Sequence, residues 1–262
     1  MKKLFADGPA IIAALHLPDI TLSRDRSIAW LEEYAITNAR VFAEAGIPWL
    51  KLQDQVRSDG RASAESIAVT TSLARLIRRE VPQIGIGIIV EAHDPVAPLA
   101  IAHASGADFV RLKVFVGGAM TAQGPRYGLG AEAVQYRAGL GREEIAILAD
   151  VHDRTAMPIS GESQVFAAEW AVKTGADGLV ITGHSFDDTL SRISALRKAG
   201  NTRPILIGGS VTEANVGTAL EAAQGVVVST ALMKPGSHEG DMLRWDRERC
   251  LRLMDAACAV PA

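Results

Sequence analysis

Short apolar runs rich in Val, Ile and Leu recur along the chain, and stretches with helical periodicity separate them. Eight such runs are readable, at 10–16 (AIIAALH), 48–53 (PWLKLQ), 84–91 (IGIGIIVE), 108–114 (DFVRLKV), 145–152 (IAILADVH), 178–183 (GLVITG), 204–208 (PILIG) and 225–230 (GVVVST). Strand and helix patterns that alternate in this way specify repeated βα units on a parallel sheet. Three helix-to-strand joints, AEAGIPWLKL, AHASGADFVRL and AVKTGADGLVI, share one plan: an Ala-rich helix end, a Gly and a strand. The Gly supplies the left-handed conformation that ends a helix. No Pro- or Ser-rich linker or charge block interrupts the series. The pattern therefore predicts an α/β fold, a (β/α)8 TIM barrel, as a single domain over 1–262, close to the usual size of that architecture. An open doubly wound sheet is the rival, and the lack of a GxGxxG turn after the first run weighs against its dinucleotide-binding form.

Barrel strands turn an apolar face to the surrounding helices, so a polar residue that alternates with aliphatics must point toward the barrel axis. In the fourth run Val110, Leu112 and Val114 go outward and Phe109, Arg111 and Lys113 inward. In the fifth, Ile147, Ala149 and Val151 go outward and Leu148, Asp150 and His152 inward. The same rule puts His16 at the end of the first run, Lys51 and Gln53 on the second, Glu91 at the end of the third and Thr182 at the end of the sixth. All lie toward C-terminal strand ends, where barrel enzymes carry their active sites. An ion pair of Arg111 with Glu91 or Asp150 that merely fills the barrel is the plainer reading. It explains a single pair better than so many polar groups converging where aliphatics pack well. His103, His184 and His238 stand alone and read as packing or surface residues.

The seventh run ends in IGGSVTEAN (207–215) and the eighth in VSTALMKPG (228–236). Gly208, Gly209 and Ser210 in the first turn, with Ser229, Thr230 and Lys234 in the second, predict a phosphate-type anion site. In this architecture the loops after strands seven and eight commonly present unpaired amides to a phosphate. Between the fourth strand and its helix, VGGAMTAQGPRYGLGAEA (116–133) is too long for an ordinary barrel connection and reads as a lid loop. Arg126 and Tyr127 near its middle are expected to reach a ligand's charged or polar end.

Composition narrows the function. A formal net charge of -3 and aromatic content of 5% give no basic field and no stacking surface for nucleic acid. Asp7, Gly8 and Pro9 interrupt the apolar start, and no run approaches the roughly 20 residues of a membrane span, so neither a signal peptide nor membrane insertion is expected. Cys250 and Cys258, on one terminal helix, stand about 12 Å apart by helical rise, too far for a disulfide. The expected protein is cytoplasmic, and homo-oligomerisation is a base-rate expectation.

AALHLPD (13–19), GADFVRLKVFVGGAMTAQG (106–124), ILADVHDRTAMPI (147–159), GADGLVITG (175–183) and PILIGGSVTEANV (204–216) together resemble the BtpA/SgcQ family over nearly the whole chain. The resemblance implies a barrel of the ribulose-phosphate-binding group. The family is named for a photosystem I biogenesis protein, and the resemblance leaves the reaction open. The chain departs from it at Lys113, where the family commonly has Asn, and near Gln53 and Asp54, where it has Glu-Asn. A fainter likeness links the Asp150-Val151-His152-Asp153 stretch to the Asp-x-Lys-x-x-Asp strand of decarboxylases and aldolases in the same group, with His152 in place of the lysine.

The expected function is proton transfer next to a carbonyl on a small phosphorylated sugar or sugar acid, of isomerase, epimerase or aldolase type. Asp150 or His152 would take the proton while Lys113 and Arg111 stabilise the enolate, and Lys113 or Lys51 is the alternative as a Schiff-base nucleophile. No cofactor is expected. A divalent metal held by His16, Glu91, Asp150 and His152 is the weaker variant. The competing class is a non-catalytic assembly or sugar-phosphate-sensing factor.

Overall fold

The computed structural model describes residues 2–259 apart from 7, 59 and 160. Among the described residues, eleven strands and eight α-helices follow one another in the order expected of βα repeats. Eight parallel strands close into a barrel: β1 (Ala10–His16), β2 (Trp49–Gln53), β3 (Gly85–Ile89), β4 (Phe109–Leu112), β7 (Ala146–Asp150), β9 (Gly178–Ile181), β10 (Ile205–Ile207) and β11 (Gly225–Val228). Each lies within a predicted run. The helices α1 (Ile28–Glu44), α2 (Ala64–Glu80), α3 (Ala97–Ser105), α4 (Gly130–Gly139), α5 (Gln164–Thr174), α6 (Phe186–Lys198), α7 (Val216–Ala222) and α8 (Arg247–Cys258) complete the eight units.

The local signals are those the fold needs. Ser27, Ser63, Ser163 and Ser185 cap α1, α2, α5 and α6, each hydroxyl accepting from a first-turn amide. Gly46, Gly106 and Gly175, the glycines of the three similar joints, take φ of 78°, 76° and 111°. Such positive φ is costly for any residue with a Cβ.

Alternation along the strands divides the core in two. Ile12, Ala14, Phe109, Leu148, Val180, Leu206 and Val227 fill the barrel interior, stoppered at the N-terminal end by Leu4 and Phe5. Ile11, Leu15, Leu50, Leu52, Val110, Leu112, Ile147 and Ala149 belong to the layer between strands and helices. Gly87 makes room for the Phe109 ring, since a Cβ there would stand 2.1 Å from it. Small and large residues thus interlock across β3 and β4, as a close-packed interior requires.

Three short strands lie outside the barrel. β5 (Gly118–Thr121) and β6 (Gly124–Tyr127) form an antiparallel hairpin, and β8 (Met157–Pro158) pairs with β5 through Met120 and Met157. The segment predicted as a lid loop, 116–133, is therefore an ordered hairpin followed by the first turn of α4, and it is tied to the loop after β7. Four-residue strands containing Gly and Pro carry too little alternation to be recognised, and their third strand comes from far along the chain. The cysteines are free, with Cys250 buried and Cys258 exposed. Among the described residues no helix is long and apolar enough to cross a membrane.

Candidate active site

The C-terminal strand ends gather the inward polar residues into two linked groups. In the first, Lys51 Nζ donates to Gln53 Oε1 at 2.6 Å, and Gln53 Nε2 donates to Glu91 Oε1 at 2.8 Å. Lys113 Nζ donates to both Glu91 oxygens at 3.0 and 2.8 Å. In the second, Arg111 holds Asp150 in a bidentate pair, Nε to Oδ2 at 2.9 Å and Nη2 to Oδ1 at 2.7 Å. The register makes these meetings compulsory: β4 runs beside β7 with Arg111 level with Leu148, and β2 beside β3 with Gln53 level with Ile89.

Burial and like charge act strongly here. Burial, with Arg111 and Lys113 adding repulsion, holds the Lys51 amine well below the usual lysine range. His16 is pushed down to about 3 by burial and then by Lys51, Arg244 and Lys113. Its imidazole is neutral at physiological pH, and its Nε2 lies 3.4 Å from Ser229 Oγ. Burial pulls on the Arg111 guanidinium, and Asp150 more than reverses that pull, keeping it charged.

A cavity of about 160 Å³ adjoins these groups, lined by Glu91, Lys113, Asp153, Arg57 and Arg126. Asp153 was not among the residues predicted from sequence. Burial raises its carboxyl, but Arg111 and Lys113 outweigh burial and leave it below the ordinary carboxylate value.

His152 does not join the cluster. It takes φ of 52°, which breaks the strand alternation just past β7. Its ring turns into a smaller adjoining cavity beside Glu162, with Nε2 3.5 Å from the carboxylate. The inward assignment of His152 is thus corrected, and Asp153, one residue on, lines the main cavity. Val114 likewise leaves the outward face, with φ of 47°, and lines the main cavity. The set His16, Glu91, Asp150 and His152 is not assembled as a metal site, since no group of three or more His, Cys, Asp or Glu among the described residues is placed to hold an ion.

The turn after β10 lies against the cluster. A Cβ on Gly208 would fall 2.1 Å from Thr182 Oγ1 and 3.3 Å from Arg111 Nη2, so only glycine brings the backbone this close. The Thr182 hydroxyl is buried without a hydrogen-bond partner. Ser210, at φ of 63°, accepts from Arg154 Nη1 at 3.0 Å, and the Arg154 guanidinium also borders Gly209. Sequence reasoning gave Arg154 no role. Ser229 and Thr230 stand at the end of β11, next to β10, where Thr230 opens a single turn of tight helix (Thr230–Leu232). Lys234 lies past that turn. Its backbone amide donates to Arg244 at 2.8 Å, and its ammonium makes no ion pair among the described residues.

Arg126 differs from its expected place on a mobile loop. It is buried, 7% exposed, and its Nη2 donates to the Ser58 carbonyl at 2.8 Å. Tyr127, by contrast, is 68% exposed.

A model of the BtpA family matches residues 8–258. The chain belongs to the BtpA family. The photosystem I biogenesis protein BtpA of Synechocystis is 32% identical over 173 residues, which cover 65% of this chain and 59% of that protein. The aligned segment is thus about three-fifths of that relative's length. An uncharacterised protein of Pyrococcus furiosus is 30% identical over 90% of this chain and 91% of its own. Among solved structures, 3-hexulose-6-phosphate synthase superposes with a TM-score of 0.58 at 17% identity, covering 98% of this chain and 99% of that one. KGPDC from Streptococcus mutans gives 0.60 at 11% identity over 97% and 99%. At such identities these likenesses establish the TIM-barrel fold of this BtpA-family chain and nothing finer.

Proposed function

We propose that this BtpA-family barrel is an enzyme that moves a proton next to the carbonyl of a small phosphorylated sugar or sugar acid. The observation that carries the reading is the shared cavity of Asp153 and Lys113, where a carboxylate held in its ionised form faces an ammonium. Asp153 takes the proton from the carbon beside the carbonyl, and the negative charge that develops on the carbonyl oxygen falls to Lys113. Returning the proton at the neighbouring carbon gives isomerisation or epimerisation, and the reverse of an aldol step uses the same enolate. Asp150 is occupied by Arg111, so its part is to hold that guanidinium in place. The Lys51 amine beside Gln53, which burial and the neighbouring cations shift toward its neutral form, leaves the Schiff-base variant chemically available. The phosphate belongs at the turn of Gly208, Gly209 and Ser210, with Arg154 as its cation and the Ser229 and Thr230 turn alongside. A phosphate fixed there orients the reacting carbons over β4 and β7. The solved structures named for hexulose-6-phosphate and phosphoribosyl substrates support the phosphate part of this reading by analogy.

The test is hydrogen–deuterium exchange into a panel of phosphorylated ketoses and keto acids in D2O, followed by NMR. Enzyme-dependent exchange at the carbon next to the carbonyl is expected, slowed about 10²–10⁴-fold by Asp153→Asn. Ligand-induced thermal stabilisation without exchange would replace catalysis by sugar-phosphate sensing.

A further inference from the structure

Arg126 is a buried guanidinium with no ion pair among the described residues. Its Nη2 and Nη1 point at the carbonyls of Ser58 and Glu91, at 2.8 and 3.5 Å, and its Nε is buried with no partner. The carboxylate of Glu91, whose carbonyl Arg126 points at, is already taken by Lys113 and Gln53. Of the other buried arginines, Arg111 and Arg137 have carboxylates against them, and Arg244, without an ion pair among the described residues, lies over the Trp245 ring and donates to the Tyr34 hydroxyl. A buried cation left without a counter-ion is costly, and one that lines an open cavity, as Arg126 does, can be compensated by an anion that enters it. Arg57, exposed and free of ion pairs among the described residues, lines the same cavity beside Arg126.

This pair lies away from the turn assigned to phosphate. The loop after β7 separates the two: Asp153 and Thr155 face the cavity with Arg57 and Arg126, while Arg154 between them reaches to Ser210. The site mouth therefore has two sets of cations, Arg57 and Arg126 in the cavity shared with Asp153 and Lys113, and Arg154 at the turn after β10. Resting on the proposed function above, we infer that Arg57 and Arg126 seat a carboxylate, so that the substrate is a phosphorylated sugar acid with its two anionic groups at opposite ends. A neutral sugar phosphate would leave Arg126 uncompensated. A planar carboxylate is the group a guanidinium pairs with best.

The experiment compares three probes on the purified full chain by isothermal titration: 6-phosphogluconate, sorbitol 6-phosphate and gluconate. None has a reactive carbonyl, so binding is read apart from turnover. 6-Phosphogluconate is expected to bind at least about tenfold more tightly than sorbitol 6-phosphate, the equivalent of about 1.4 kcal/mol. Arg57→Gln, on an exposed residue, is expected to erase that ratio while leaving sorbitol 6-phosphate unchanged, and Arg154→Gln to weaken both phosphorylated probes alike. Equal affinity of the two phosphorylated probes, or equal weakening of both by Arg57→Gln, overturns the carboxylate seat. Equal binding of gluconate and 6-phosphogluconate, both weakened by Arg57→Gln, keeps the seat and removes the phosphate.

Discussion

The Arg111–Asp150 pair offers a direct measure of what the barrel interior tolerates. Its side chains are 8% and 1% exposed and joined by two hydrogen bonds, so neither charge can turn to water for solvation. Removing one partner of such a pair typically costs about 3–5 kcal/mol, mostly through the charge left behind. The two single substitutions are not equivalent here. Asp150→Asn leaves Arg111 with Lys51 and Lys113, and it removes a carboxylate that supports the Lys51 charge. Arg111→Met leaves a carboxyl whose pKa burial already raises above the ordinary value, against the opposing pull of Arg111, and a carboxyl can accept a proton and become neutral. Asp150→Asn is thus expected at the upper end of that range and Arg111→Met at the lower. The double substitution, which leaves no unpaired charge of this pair, is expected within about 2 kcal/mol of the parent. Urea unfolding followed by far-ultraviolet circular dichroism gives all four values of the cycle and a coupling energy of at least about 3 kcal/mol. Single costs below about 1 kcal/mol, or a double that merely sums the singles, would refute the claim that the pair is held by mutual compensation in a dry interior.

His16 ties stability to pH. Its folded pKa of about 3 lies below its ordinary 6.5, so the unfolded chain takes up the proton first on acidification. Its contribution is complete above pH 6.5 and is lost as the pH falls toward 3, at about 1.4 kcal/mol per unit. Between pH 6.5 and 4.5 the parent should lose about 2–3 kcal/mol more than His16→Gln, and parallel unfolding curves would contradict the neutral buried imidazole. Gly208→Ala drives a methyl onto Thr182 Oγ1 and should cost about 1–3 kcal/mol in urea unfolding. Adding Thr182→Ala should return part of that loss, and no recovery would mean that the backbone at 208 resists the side chain for another reason.

The sequence by itself determined the barrel, its eight units and the inward direction of Lys51, Arg111 and Asp150. Inside a strand the pleat has a period of two, so one aliphatic face toward the helices forces the other residues inward. The Gly-ended joints were equally legible, because a helix end in the left-handed conformation is a local requirement. Past the last hydrogen-bonded residue of each strand that constraint ends. There the tertiary structure decided: the positive φ at Val114 and His152 turned one residue into the cavity and the other out of it, and Asp153 came in instead. Arg126 acquired its meaning only when the hairpin of β5 and β6 folded over the mouth and carried it onto the carbonyls of Ser58 and Glu91. Arg154 did so when the loop after β7 met the turn after β10. Those contacts join segments distant in sequence, and local periodicity records the face a residue takes, not the partner that another strand brings to it.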